Sequence, residues 1–316
     1  MTPRRFPFRA MGAPCQIQLF ETPGVERIAR AAIDEVARLE AKYSRYRDDS
    51  VASAINRSAG RPEGVTVDAE TAALLDYAAI AHRESGGRFD VTSGVLRRAW
   101  DFRSGRLPAE DEIAALRELV GWQHVEWDGE RIVLPRVGME IDFGGYVKEY
   151  TADRVAELCR ERGARHGLVD LGGDVALVGP QPDESPWRVG IRHPRIPGVA
   201  LAWIPLASGA IATSGDYERF MQVDGRRYGH ILDPGTGWPV EGLVSASVVA
   251  PHCVVAGTAT TIAMLMPEDD GRAWLEGLAL PHLCVDRKGA CHGSLVASPR
   301  APVDTDPSVA GQFVHR

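Results

Sequence analysis

Apolar residues between Val25 and Tyr43 fall at Val25, Ile28, Ile33, Val36, Leu39 and Tyr43, close to a helical period, which predicts a surface helix with one buried stripe. Asp68 stands as an N-cap before ETAALLDYAAIAHRES, and Gly86 and Gly87 close the helix that follows. A third helix is expected after Pro108 in AEDEIAALRELV, where acids sit in the first turn and Gly121 lies beyond the end. The pattern then shifts toward alternation. WQHVEWDGERIVL reads as two short strands around an Asp128-Gly129 turn. A short strand is expected at 139–143, a helix over 146–162 stopped by Gly163, and strand, glycine turn, strand in GLVDLGGDVALVG. WRVGI, ALAWIPL, FMQVDGRRYGHIL with its turn at Asp224-Gly225, and VSASVVA continue as strands before a helix at about 254–266.

No linker divides this series. It predicts one α+β domain over residues 1–300, with mixed, largely antiparallel sheet structure and flanking helices. The end, SPRAPVDTDPSVAGQFVHR, is rich in Pro and Asp with little periodicity, so 301–316 are expected as a surface-draped or disordered tail. The 316 residues are 44% apolar and 25% charged, enough for a large core. A formal net charge of −7 and the lack of long basic tracts argue against nucleic acid as a partner. The longest apolar candidate, SASVVAPHCVVAGTATTIAMLM, is interrupted by Pro251 and His252, so no transmembrane segment is expected. The N-terminal stretch lacks the apolar run of a signal peptide, and Cys15 lacks a hydrophobic segment before it. Five cysteines without a CxxC pair are expected as reduced thiols in a cytoplasm. Cys284 and Cys291 flank DRKG and either face each other across a hairpin or, the favoured reading, are two small buried residues.

Candidate chemistry enters with four small-residue turns beside strands: SGGRFDVTSG, FGGYVKEY, LGGDV and IATSGDY. Each alone is explained by turn formation or close packing, whereas four together suggest a ligand. In DFGGYVKEY a glycine pair at a helix start would suit a phosphate, but Glu149 beside it would repel one unless a cation lies between. His230 in YGHILDPGTGWPV is placed in a strand pattern near the loop that Asp233 begins. On spacing alone the favoured reading is a histidine satisfied by a backbone carbonyl. The other histidines form no HxxxH or HExxH pattern.

Taken in order, SRYRDDSVASAIN, GGRFDVTSGVL, IDFGGYVKEYTADRV, LVDLGGDV, WRVGI, AIATSGDY, HILDPGTGWPV and the Ala- and Thr-rich helix after APHC resemble the ApbE family of FAD:protein FMN transferases. The likeness covers about 11–266. It implies an ApbE-like fold related to the T-fold, and an enzyme that transfers FMN from FAD to a Ser or Thr hydroxyl of an acceptor protein, releasing AMP with help from Mg²⁺. Some relatives are described as hydrolysing FAD instead, and family members often work in the periplasm. The resemblance places Met11, Tyr46, Asp90, Gly172, Gly173, Asp174, Thr213, Ser214 and Gly215 around the flavin nucleotide, with Tyr46 stacked on the isoalloxazine. Lys148, expected as a catalytic residue alongside His230, falls with Gly144 and Gly145 in the metal and phosphate loop, where the Val147 carbonyl would coordinate Mg²⁺. Asp233 is drawn in with the nucleotide site, Asp216 lies in another of its motifs, and His230 matches the reactive-site histidine assigned to the acceptor hydroxyl.

Two departures stand out. The family's metal helix carries Asp and Thr four apart; here the positions are Gly257 and Thr261, so the threonine is kept and the carboxylate is gone. The family's Lys-Gly pair is Lys148-Glu149. Glu149 either replaces the lost metal oxygen or points to solvent from a helix N-terminus. The transferase reading leads. The alternatives are a non-catalytic FAD-binding protein and a FAD pyrophosphatase.

Overall fold

The computed structural model describes residues 2–217 and 219–296; the tail expected at 301–316 lies outside them. Two strands that periodicity did not signal open the chain. β1 (Arg4–Ala10) and β2 (Ala13–Leu19) pair antiparallel, with Ala10 opposite Ala13. Between them Met11 and Gly12 have φ of 52° and 75°, the doubly positive combination whose twist suits a two-residue hairpin.

α1 (Val25–Tyr43) buries Val25, Ile28, Val36, Leu39 and Tyr43 as its periodicity requires. α2 (Val51–Arg57) and β3 (Val65–Thr66) lead to α3 (Ala69–Glu84), whose Asp68 cap accepts the Thr71 N–H. After a three-ten segment at Val91–Arg98 come α4 (Glu110–Arg117), then β4 (Glu126–Trp127) and β5 (Arg131–Val133), which join β3 in a small antiparallel sheet. α5 (Val147–Glu161) is followed by β6 (Gly167–Leu171), β7 (Asp174–Gly179), β8 (Trp187–Arg192), β9 (Ala200–Leu206) and β10 (Ala210–Gly215). The hairpin β11 (Phe220–Val223) and β12 (Arg226–Gly229) precedes β13 (Ser245–Ala250) and α6 (Cys253–Leu265). α7 (Glu268–Gly277), β14 (His282–Val285) and β15 (Cys291–His292) complete the described chain. α7, with acids in its first turn, was missing from the sequence expectation.

The eight-stranded sheet runs β1-β2-β6-β7-β10-β13-β14-β15, and each of its pairings is antiparallel. Its central strands are buried on both faces. Val169, Leu171, Ala176, Val178, Ala210 and Ala212 face the core shared with α1, α5 and α6, whereas Leu168, Val175, Leu177 and Ile211 face a second core with the β8–β9 hairpin. Strict alternation sends neighbours to opposite cores, so these segments read as continuous apolar runs. A third core joins the ends of α1, α2 and α3 to residues 132–147.

The strand expected at 139–143 does not form. The backbone of Ile141 pairs instead with a side chain: its N–H donates to Asn56 Oδ1 at 2.7 Å, and its carbonyl accepts from Asn56 Nδ2 at 3.1 Å. An amide side chain thus does the work of a strand partner, and residues 143–145 turn directly into a three-ten segment. Cys284 and Cys291 lie on paired strands but are not opposite one another; their partners are His292 and Val285, and all five cysteines are free thiols. No helix among the described residues is long and apolar enough to cross a membrane.

Asn56→Ala leaves both backbone groups of buried Ile141 without partners and is expected to lower stability by about 1–3 kcal/mol. Urea unfolding monitored by far-UV circular dichroism checks this, and a midpoint equal to wild type would contradict it.

Candidate active site

Glycine turns gather at one end of the large sheet. Gly172 and Gly173, with φ of 70° and 100°, join Leu171 to Asp174 directly across the β6–β7 ladder. A Cβ on Gly172 would sit 2.7 Å from Ala13 Cβ, so this turn packs against the end of the Met11–Gly12 turn. A Cβ on Gly12 would in turn meet Arg219 Nη2 at 3.2 Å. Met11 is held there by its own N–H, which donates to Glu40 Oε1 at 2.6 Å.

Behind these turns lies a buried charged cluster. Asp174, the first residue of β7, is 2% exposed. Its Oδ2 is ion-paired with Lys148 of α5, and its Oδ1 accepts the Thr213 N–H at 3.1 Å. Lys148 also reaches the Leu171 carbonyl at 3.4 Å and lies 4.0 Å from Glu149 Oε1. Burial opposes the lysine charge, but Asp174 and Glu149 outweigh it and hold its pKa well above the usual lysine value. The ammonium therefore stays protonated. Burial, followed by the Asp174 charge, pushes Glu149 upward against the pull of Lys148. Its Oε2 is buried without a hydrogen-bond partner.

Hydroxyls pair on both faces of β10, that of Ser214 on the same side as α6 and that of Thr213 on the opposite side. Thr213 Oγ1 meets Ser247 Oγ at 2.8 Å across the β10–β13 ladder, and Ser214 Oγ meets Thr260 Oγ1 at 2.9 Å and Thr261 Oγ1 at 3.2 Å on α6. One turn before Thr261, Gly257 lies under the Glu149 side chain: a Cβ there would be 2.5 Å from Glu149 Cγ. Glu149 points into the interior between α5 and α6, and the solvent-facing alternative for it is corrected on this ground. The Val147 carbonyl accepts the Thr151 hydroxyl at 2.7 Å within α5. No group of three His, Cys, Asp or Glu side chains arranged to hold a metal occurs among the described residues.

A second set surrounds Asp142, whose Oδ1 accepts the Gly144 N–H at 2.8 Å while Oδ2 receives Arg97 at 2.9 Å and Arg45 at 3.3 Å. The Gly144 N–H is thus taken by its own loop, and it does not stand free for a phosphate as the glycine-pair reading supposed. Tyr46 is 79% exposed, with the Arg45 guanidinium 4.8 Å from its ring centroid and donating to its hydroxyl at 2.7 Å. Arg45, Tyr46, Arg57, Gly94 and Arg97 line a cleft of about 420 Å³.

His230 follows β12 instead of lying inside it. Its N–H and its Nδ1 both meet the Arg219 carbonyl, at 3.0 and 3.1 Å. A carbonyl only accepts, so Nδ1 carries the proton and Nε2 is left as the base. Burial, then the charges of Arg97 and Arg219, pull the imidazole down to about 4, so it is neutral at pH 7. Carbonyl satisfaction and availability for proton transfer are therefore compatible.

Asp90 and the Asp233 loop stand apart, around a cleft of about 590 Å³ that includes His82, Gly121, Pro234 and Gly235. Asp90 Oδ1 accepts Thr92 N–H and hydroxyl at 2.8 and 2.6 Å, and Oδ2 accepts the Trp122 N–H at 2.9 Å. Asp233 Oδ1 accepts the N–H groups of Gly235 and Thr236 at 2.6 and 3.2 Å. Both carboxylates build loops. Asp216 is engaged by Arg195 at 2.6 and 2.7 Å. Arg45, Arg97, Asp142 and Arg219 escaped the sequence reading as site residues; only Asp142, preceding the glycine pair, carried a local signal.

Comparison with known proteins places this geometry. The model of the ApbE family matches residues 11–283. The FAD:protein FMN transferase of Vibrio cholerae serotype O1 is 30% identical over 285 residues, covering 87% of this chain and 85% of that protein. That of Treponema pallidum is 31% identical over 286 residues, covering 81% and 76%. The crystal structure of the ApbE protein from Thermotoga maritima superposes with a TM-score of 0.86 at 32% identity, covering 92% of this chain and 97% of that one. The Vibrio cholerae flavin transferase ApbE gives 0.83 at 28% identity, with 92% and 97% covered.

The depressed His230 pKa carries a stability consequence. Between an unfolded value of 6.5 and about 4, the unfolded chain binds a proton that the native site refuses. Stability contributed by His230 is therefore full above pH 6.5 and lost as pH falls through that window. His230→Asn is expected to flatten the rise of the urea midpoint with pH over this range; identical slopes for variant and wild type would contradict it.

Proposed function

The chain belongs to the ApbE family, and from that membership and the site's chemistry we propose that it transfers the FMN half of FAD to a Ser or Thr hydroxyl of an acceptor protein, releasing AMP. The observation that carries this reading is the convergence of Lys148, Asp174 and Glu149 with the hydroxyls of Ser214 and Thr261 at the glycine-rich end of the sheet.

The reaction is a displacement at phosphorus. The acceptor oxygen forms a bond to the FMN-side phosphorus, the bridging P–O bond breaks, and AMP leaves. His230 Nε2 is positioned by the Arg219 carbonyl to receive the hydroxyl proton. Arg97 and Arg219 depress its basicity in the free protein; an anionic pyrophosphate offsets those charges, so the histidine becomes a better base when its substrate is present. Lys148, protonated and committed to Asp174, contributes positive charge and does not move a proton. The exposed ring of Tyr46, oriented by Arg45, offers a face for the isoalloxazine.

A bound Mg²⁺ would neutralise pyrophosphate charge and polarise the phosphoryl oxygens. The donor set suits such a hard cation. The unpartnered Oε2 of Glu149 and the hydroxyl of Thr261 would supply oxygen ligands, and Mg²⁺ takes few carboxylates and keeps water in its remaining positions. Val147 would join them only if Thr151 released its carbonyl.

His230→Ala is expected to lower both AMP release and covalent flavin on a purified acceptor domain by about 10²- to 10⁴-fold, while FAD affinity stays within a few-fold. Incubation with FAD and Mg²⁺, followed by nucleotide chromatography and mass spectrometry of the acceptor, measures both. AMP without flavinylated acceptor from the wild-type protein would overturn the transfer reading, as would bound FAD without AMP.

A further inference from the structure

Gly257 poses a steric puzzle. It sits inside α6, away from the helix ends, and its φ is not positive, so its backbone makes no demand for glycine. In such a position glycine is less favourable than alanine. What requires it is a neighbour: a Cβ at 257 would lie 2.5 Å from Glu149 Cγ, 3.0 Å from Cδ and 3.1 Å from Oε1. A glutamate from α5 fills the notch that the missing side chain leaves in α6.

The glutamate itself is costly. Glu149 is 8% exposed, and its Oε2 has no hydrogen-bond partner. The nearest cation, Lys148 at 4.0 Å, is already ion-paired with Asp174. Two buried acid groups thus share one ammonium, and Glu149 Oε2 is left as an oxygen with no partner in the protein. The hydroxyls of Ser214 and Thr261 close the same region from β10 and from one turn further along α6.

We propose that Glu149 and Gly257 form a reciprocal steric pair, in which glycine at 257 admits the Glu149 carboxylate so that α5, not α6, supplies the anionic oxygen for a divalent cation. This rests on the transferase reading for the identity of the site, but the pair makes its own claim. Cation affinity resides in Glu149, and the two positions are coupled: a carboxylate is accommodated from one helix or the other, not from both.

Calorimetry with Mg²⁺, electron paramagnetic resonance with Mn²⁺ and thermal unfolding with and without Mg²⁺ test it on the full chain. Glu149→Gln, nearly isosteric, is expected to weaken Mg²⁺ binding by at least about tenfold and to abolish the rise of Tm on adding Mg²⁺. Gly257→Asp alone is expected to lower Tm through the clash with Glu149. Glu149→Gly combined with Gly257→Asp is expected to recover Tm and to bind Mg²⁺ within a few-fold of wild type. Unchanged cation affinity in Glu149→Gln overturns the proposal, as does a double variant no better than the sum of its single changes. Flavin transfer to the acceptor separates the two readings. Transfer with unaltered affinity in the Gln variant sinks the pair and spares the transferase, whereas coupled cation binding without any transfer by wild type does the reverse.

Discussion

The central strands of the large sheet have water on neither face. β6 and β7 send alternate residues into the core under α1, α5 and α6 and into the core under the β8–β9 hairpin, which leaves the strand interiors little room for polar chemistry. Polar groups are displaced to the strand ends, where the chain must also reverse direction. The reversals between β1 and β2 and between β6 and β7 are two-residue turns with positive φ, which explains why glycine and candidate chemistry coincide. The site is a consequence of a sheet covered on both sides.

Within that site the electrostatics are tightly constrained. Lys148 crosses from α5 to Asp174 at the start of β7, while Asp174 also receives a backbone N–H from β10. One carboxylate thereby ties a helix to two strands. Glu149 on the same helix adds a second acid to this low-dielectric region, where an uncompensated charge is most expensive. Burial and the Asp174 charge accordingly push Glu149 toward its neutral form. Around His230 the sign is opposite: Arg97 and Arg219 face the imidazole and disfavour its protonation. Acid-rich and arginine-rich regions of this kind suit a substrate whose negative charge is concentrated in a pyrophosphate and moves during the reaction.

Several glycines had a steric meaning different from their apparent one. Gly144 looked like an opening for phosphate, yet its N–H caps Asp142, and a Cβ there would press on Asp142 Oδ1 at 2.9 Å. Gly94 likewise makes room for Asp142, whose Cβ would be 2.5 Å away from a side chain at 94. Asp90 and Asp233, motif carboxylates, accept backbone N–H groups and shape loops. A motif position can be required by a loop that in turn shapes a site, without its side chain facing a ligand.

Sequence alone determined the local elements and the family: the stripe of α1, the Asp68 cap, the Asp-Gly hairpins, the glycine turns and the lysine followed by glutamate are all readable within a few residues of each other. It missed the β1–β2 hairpin and α7, and it made a strand of 139–143 because it had no means of knowing that Asn56 would occupy the backbone of Ile141. It also registered the loss of a carboxylate at 257 and the gain of one at 149 as two separate facts. Only the packing of α5 against α6 over a shared sheet made them neighbours. Periodicity and turn chemistry act over a few bonds and are written along the chain; a steric notch and the charge that fills it exist only once distant segments are brought together.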